Sequence, residues 1–153
     1  MARNKHKKRN QGRFVGIPYS MMGTKQYLNL TSSEKALLFD LAYQYSGYNN
    51  GNLTACYTVL KKRNWASATL YRAYAGLVHA GFLVVTRQGM KIRGYATLLA
   101  LTYQGIDEPP KGITYDLGIK PSQISLGFWC KAKASWEIQP TIKEPRKKCS
   151  TSN

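Results

Sequence analysis

Two short helix patterns joined by a tight corner, followed at once by two apolar strand patterns around a basic, glycine-bearing tip, predict an α+β fold of the winged helix-turn-helix kind. A second observation says what surface that fold presents. From Leu41 to Ile106 the chain runs sixty-six residues without Asp or Glu, yet carries Lys61, Lys62, Arg63, Arg72, Arg87, Lys91 and Arg93. Ordinary domains mix charge signs, because mixing limits self-repulsion. Unopposed positive charge on a folded core attracts polyanions, of which nucleic acid is the commonest.

The elements follow in order. Phe14, Val15, Ile17 and Pro18 form a short extended piece, and Tyr19 to Tyr27 suit a turn or two of helix with Met21, Met22 and Tyr27 inward. Thr31 and Glu34 stand at capping-box spacing, so each side chain can satisfy an orphan N–H at a helix start. Ala36, Leu37, Leu38, Leu41 and Ala42 then recur at helical spacing, and a stop is expected near Ser46-Gly47, where glycine suits a left-handed cap. Tyr48 to Asn52 reads as a turn. A second helix is expected from Thr54 or its neighbour, with Cys56, Val59 and Leu60 inward and Lys61-Lys62-Arg63 at its end. Asn64-Trp65 makes the corner. The third helix starts at Ala66 or Ser67, places Leu70, Ala73, Tyr74, Leu77 and Val78 on one face, and stops at Ala80-Gly81. The period then changes: Phe82 to Thr86 and Tyr95 to Tyr103 read as strands, and Arg87 to Gly94 as their polar connection. Two prolines after Ile106-Asp107-Glu108 close the unit.

This divides the chain into a basic disordered arm (1–13), a winged-helix domain (14–108), a loop-rich appendage (109–136) and a basic tail (137–153). Twenty-three Lys and Arg against seven Asp and Glu give a formal charge of +16 over 153 residues. Both ends are basic, as in segments that stay disordered until they meet phosphate, or that serve as plain electrostatic appendages. Trp129 and Trp136 can supply an apolar surface for a homodimer or be buried within one chain. Three cysteines without paired spacing, and only His6 and His79, leave no zinc pattern and suit reduced thiols. No apolar run has the length of a signal peptide core or of a membrane helix, which points to a cytoplasmic protein without a membrane partner.

Chemistry is poorly served. The acids are spread from Glu34 to Glu144, so no carboxylate cluster for Mg²⁺ is expected, and the histidines are too few to activate a tyrosine nucleophile. Phosphate loops of Walker spacing are absent. The expectation is a binding protein, not an enzyme, with no cofactor. On the third helix the positions left outside are Ser67, Ala68, Thr69, Tyr71, Arg72 and Ala75. Arg72 can fork onto guanine, Tyr71 and Ser67 can reach a phosphate or base edge, and Ala68 can touch a thymine methyl. Tyr71 can equally pack against the wing, and Arg72 can be an ordinary solvated surface group. Arg87, Gln88, Lys91 and Arg93 surround the hairpin tip and suit a wing lying along a backbone or minor groove. Lys61, Lys62 and Arg63 complement a helix C-terminus, though one cation would suffice for that.

These blocks also carry a resemblance. Leu30-Thr31, Tyr48-Asn49-Asn50-Gly51-Asn52-Leu53, Thr69-Leu70-Tyr71-Arg72-Ala73, Ala80-Gly81-Phe82, Thr86-Arg87-Gln88-Gly89 and Ala100-Leu101-Thr102-Tyr103 before Ile106-Asp107-Glu108 cover about half of the chain. Their run resembles the winged-helix proteins encoded by bacterial phages and integrated mobile elements. The resemblance implies binding to double-stranded DNA in replication initiation or transcriptional control of such an element. It implies a bacterial host's nucleoid as the location, and host replication or transcription machinery as further partners. The chain departs from that family at Ala75 and Gly76, where such helices tend to carry charge. Two other classes fit the charge: an anti-defence or interaction protein using the basic face, and a structural RNA- or capsid-associated protein driven by the tails.

Overall fold

The expected first helix is two. In this computed structural model, which describes residues 13–90, 92–116 and 118–130, α1 (Tyr19–Met22) stops at Gly23 and α2 (Lys25–Leu28) restarts at Thr24. The Thr24 hydroxyl accepts from the Tyr27 N–H at 3.3 Å, so a new N-cap interrupts the pattern. Met21 and Tyr27 are buried, whereas Met22 is 41% exposed, because four-residue helices have only one inward position each. The arm up to residue 12, Lys91, Trp136 and the tail lie outside the described residues.

The capping box forms as expected. Thr31 N–H donates to Glu34 Oε2 at 2.6 Å and Glu34 N–H to Thr31 Oγ1 at 3.3 Å, opening α3 (Ser32–Gln44). Leu37, Leu38, Leu41 and Ala42 face the core, while Ala36 is exposed. The stop comes before Gly47: Tyr45 is already extended, and the Gln44 side-chain amide grips residue 54 from both sides, donating to Thr54 O at 3.0 Å and accepting from Thr54 N at 3.1 Å. That grip fixes residue 54 beside the end of α3, next to Leu53, which pairs with Leu99. The second helix therefore starts later than expected, as α4 (Tyr57–Leu60) followed by a 3₁₀ turn at Lys61–Arg63. So short a helix buries Leu60 alone and leaves Val59 47% exposed. Asn64, with φ 63°, makes the corner, and α5 (Ser67–His79) follows.

Among the described residues the five α-helices are joined by a two-stranded antiparallel sheet, β1 (Leu83–Arg87) against β2 (Leu98–Leu101). Leu53 adds a single-residue bridge to Leu99, with N···O distances of 3.1 and 2.8 Å. Leu83, Val85, Leu99 and Leu101 face the helices, where they meet Leu37, Leu41, Leu70 and Leu77. The alternate residues Val84 and Ala100 face a second cluster, with Ile106 and Phe128 and the half-buried Tyr115, Ile119 and Leu126. Tyr115, Ile119, Leu126 and Phe128 thus cover the far side of the sheet, which is why β1 is buried without alternation. Gly81, with φ +84°, lets the Phe128 backbone come within 2.9 Å of where a Cβ would stand. Trp129 is half-buried against the helical core, within the chain.

Candidate nucleic-acid interface

The buried stripe Leu70, Ala73, Leu77 and Val78 sets which side of α5 looks outward. Ser67, Ala68, Tyr71 and Arg72 are exposed there; Thr69 and Tyr74 are half-buried. Ala75, expected outside, is buried, as is Gly76. A Cβ on Gly76 would overlap the Glu34 carboxylate, so α5 crosses the first turn of α3 closely enough that a side chain there would displace the Glu34 side chain. The two positions that depart from the resembled family thus point into the packing.

Arg72 Nε donates to Ala68 O at 3.3 Å, one turn earlier on the same exposed face. Lys61, Lys62 and Arg93 are exposed as well, and the only ion pair among the described residues is Arg63 with Asp40. Arg63 is committed to that pair: Nε donates to Asp40 Oδ1 at 2.7 Å, its guanidinium lies 4.7 Å from the Tyr43 ring centre, and Trp65 Nε1 donates to Asp40 Oδ2 at 2.6 Å. It clamps the 3₁₀ turn to α3. Nothing in local spacing announces this, because the partners lie 23 and 25 residues apart.

The hairpin tip divides more sharply. Arg87, expected at the tip, belongs to β1 and is 7% exposed. A bulge at Thr86, whose hydroxyl donates to Gly51 O at 2.6 Å, turns the Arg87 side chain beneath the loop. There Nη2 donates to Ala96 O at 3.0 Å and the guanidinium stacks 4.3 Å from the Tyr95 ring centre, while Nε has no partner. Gln88 keeps an exposed side chain, its N–H donating to Asp116 Oδ2 at 3.1 Å. Met90 N–H donates to Tyr95 O at 3.0 Å, closing a tip on which Met90, Ile92 and Arg93 are exposed. Lys91 lies outside the described residues.

Among the described residues no acid forms an ion pair with Arg72 on α5. Glu34 and Asp40 are used on α3, Asp107 accepts from Asn50 N–H at 2.8 Å, and Asp116 holds Gln88 from behind the sheet. Between α5, residues 54–57 and the 88–97 loop lies a cleft of about 410 Å³ that no acid lines. Tyr57, Tyr71, Tyr74 and Tyr95 form its walls with Met90 and Cys56. The Tyr71 and Tyr74 rings stand 6.4 Å apart, tilted by 55°. Burial pushes the Tyr74 hydroxyl up to about 12. The Cys56 thiol is held below its usual value, first by the Thr58 hydroxyl at 3.0 Å; burial opposes this next, and the N–H groups of Thr58 and Val59 add smaller downward pushes. The sequence offered one signal of this cleft: Tyr71 and Tyr74 fall at i and i+3.

No family model, curated protein or solved structure matches this chain. Among the described residues no helix is long and apolar enough to cross a membrane.

Proposed function

We propose that the chain is a winged helix-turn-helix protein that binds double-stranded DNA at a preferred sequence, without catalysis, for replication initiation or transcriptional control of a phage or mobile element. The observation that carries the reading is the outward face of α5, where Ser67, Ala68, Tyr71 and Arg72 stand exposed and, among the described residues, no carboxylate pairs with Arg72. Supporting the architecture is the element order: α3, a bridging residue at Leu53, α4, the corner at Asn64, α5, then a hairpin whose second strand pairs with Leu53. In this reading the N-terminal half of α5 enters the major groove, and Gln88 and Arg93 follow the backbone beside it. Lys61 and Lys62 add phosphate contacts. Arg63 and Arg87 hold the scaffold that aims the others. The class of element comes from the resemblance of the sequence blocks, and dimerisation on paired half-sites and recruitment of host machinery belong to the same proposal.

The test is selection of binding sites from random duplexes at physiological salt. One defined duplex should outcompete random DNA by orders of magnitude. Arg72→Ala should then cost about 1–3 kcal/mol on the selected site and much less on random DNA. Equal losses on both would reduce Arg72 to a phosphate contact, and selection of no sequence would leave only charge-driven binding.

A further inference from the structure

Four of the eleven tyrosines meet in the cleft between α5 and the 88–97 loop; Tyr74 packs against the core and Tyr95 against Arg87, but folding does not account for Tyr57 and Tyr71. Tyr71 is 64% exposed and Tyr57 44%, so their rings add little to the core. What they offer instead is a set of aromatic faces open to solvent at the mouth of an acid-free hollow. Among the described residues no cation lines it, but the two elements that form its walls carry them. Arg72 follows Tyr71 on the exposed face of α5, Arg93 is exposed on the loop, and the Arg87 guanidinium lies behind the Tyr95 wall. A buried guanidinium without a carboxylate is costly, and an anion brought close offsets part of that cost. At the loop tip, Met90 and Ile92 are 58% and 65% exposed, and apolar side chains so placed can wedge between stacked base pairs.

Aromatic walls on a helix and a loop that also carry exposed cations match a nucleotide, whose base stacks and whose phosphates pair with Arg. The cleft volume lies in the range of small-ligand sites, roughly 300–1,000 Å³, and so has room for a nucleoside. A neutral apolar ligand would have no use for the cations. An acidic peptide would have none for the four rings. We infer that this cleft receives one unstacked nucleobase from a single-stranded or locally opened DNA segment, with the flanking phosphates on Arg72 and Arg93. The inference rests on the reading that α5 and the loop face DNA, and adds that the protein holds an opened strand.

The test uses the full chain and three labelled probes of equal length: a thymidine strand, an abasic strand with the same phosphates, and a duplex. By fluorescence anisotropy at physiological salt, the thymidine strand should bind at least about tenfold tighter than the abasic strand, the size of one base stacked on aromatic rings. Tyr57→Leu should abolish that preference while leaving the melting temperature and the duplex affinity in place. Should the variant misfold, Cys56 in the unaltered protein serves instead: as it lines the cleft, saturating thymidine strand should slow its alkylation severalfold and leave that of the exposed Cys130 unchanged. Equal affinity for the thymidine and abasic strands, or an unprotected Cys56, overturns the inference. Duplex binding retained in that case spares the DNA-facing reading, and its loss sinks both.

Discussion

Asn50 shows how much one residue can hold in this fold. It is fully buried, and its amide donates to Leu101 O at 2.9 Å and Gly105 O at 2.7 Å while accepting from Leu101 N–H at 2.7 Å. Its own backbone exchanges bonds with Asp107 at 2.8 Å each way. The turn after α3 is thereby tied to the end of β2. Asn50→Ala leaves buried Leu101 and Gly105 groups without partners and should cost on the order of 3 kcal/mol in urea unfolding, with the slope of the transition unchanged. Cys56 makes a second residue-scale test. Since its thiol is held low chiefly by Thr58, it should react with iodoacetamide with a pH midpoint below that of a free cysteine, and Thr58→Val should move that midpoint upward. A midpoint unmoved by the substitution would assign the effect to the backbone N–H groups instead.

Elements differ in what their cations do. Arg93 stands exposed on the loop, whereas Arg87 is threaded under it against Tyr95. Arg93→Ala should therefore flatten the salt dependence of DNA binding by about one unit in the log–log slope and keep the melting temperature. Arg87→Ala should do the reverse, lowering stability by on the order of 1–2 kcal/mol through the lost ring contact and loosening the loop. If both variants changed only the salt slope, the burial of Arg87 would be wrong. The Arg63 clamp makes the same distinction within the basic run that ends α4, since Lys61 and Lys62 are exposed and form no ion pair among the described residues.

At the scale of the molecule, buried tyrosines link folding to alkaline pH. Burial, with a smaller push from Tyr71 and Tyr45 respectively, raises Tyr74 and Tyr103 from 10.0 to about 12. Their contribution is complete below the unfolded value and is lost as pH climbs from 10.0 toward about 12. Circular dichroism should show unfolding across that window in step with tyrosinate absorbance, and Tyr74→Phe with Tyr103→Phe should shift it upward. The basic ends act on a different property. Deleting residues 1–12 and 141–153 takes the basic residues from twenty-three to fourteen and the acids from seven to six, leaving +8. Affinity for specific and random duplexes should fall together while the preference between them persists, since backbone charge supplies affinity and base contacts supply discrimination. Lost discrimination would favour a structural role driven by the tails.

Local pattern by itself determined the order of the elements, the Thr31–Glu34 cap, the inward face of α5 and the corner at Asn64, because each depends on residues within about one helical turn. The charge asymmetry was legible for the same reason, being composition along the chain. Where α4 begins was decided by the Gln44 amide holding residue 54, ten positions away. That Arg87 turns inward followed from a bulge and from covering residues near 116; that Ala75 and Gly76 are packed followed from the crossing of α3 and α5. The tyrosine cleft needed three separated segments brought together. Such features depend on which surfaces meet after the chain closes, and no spacing along the sequence encodes that meeting.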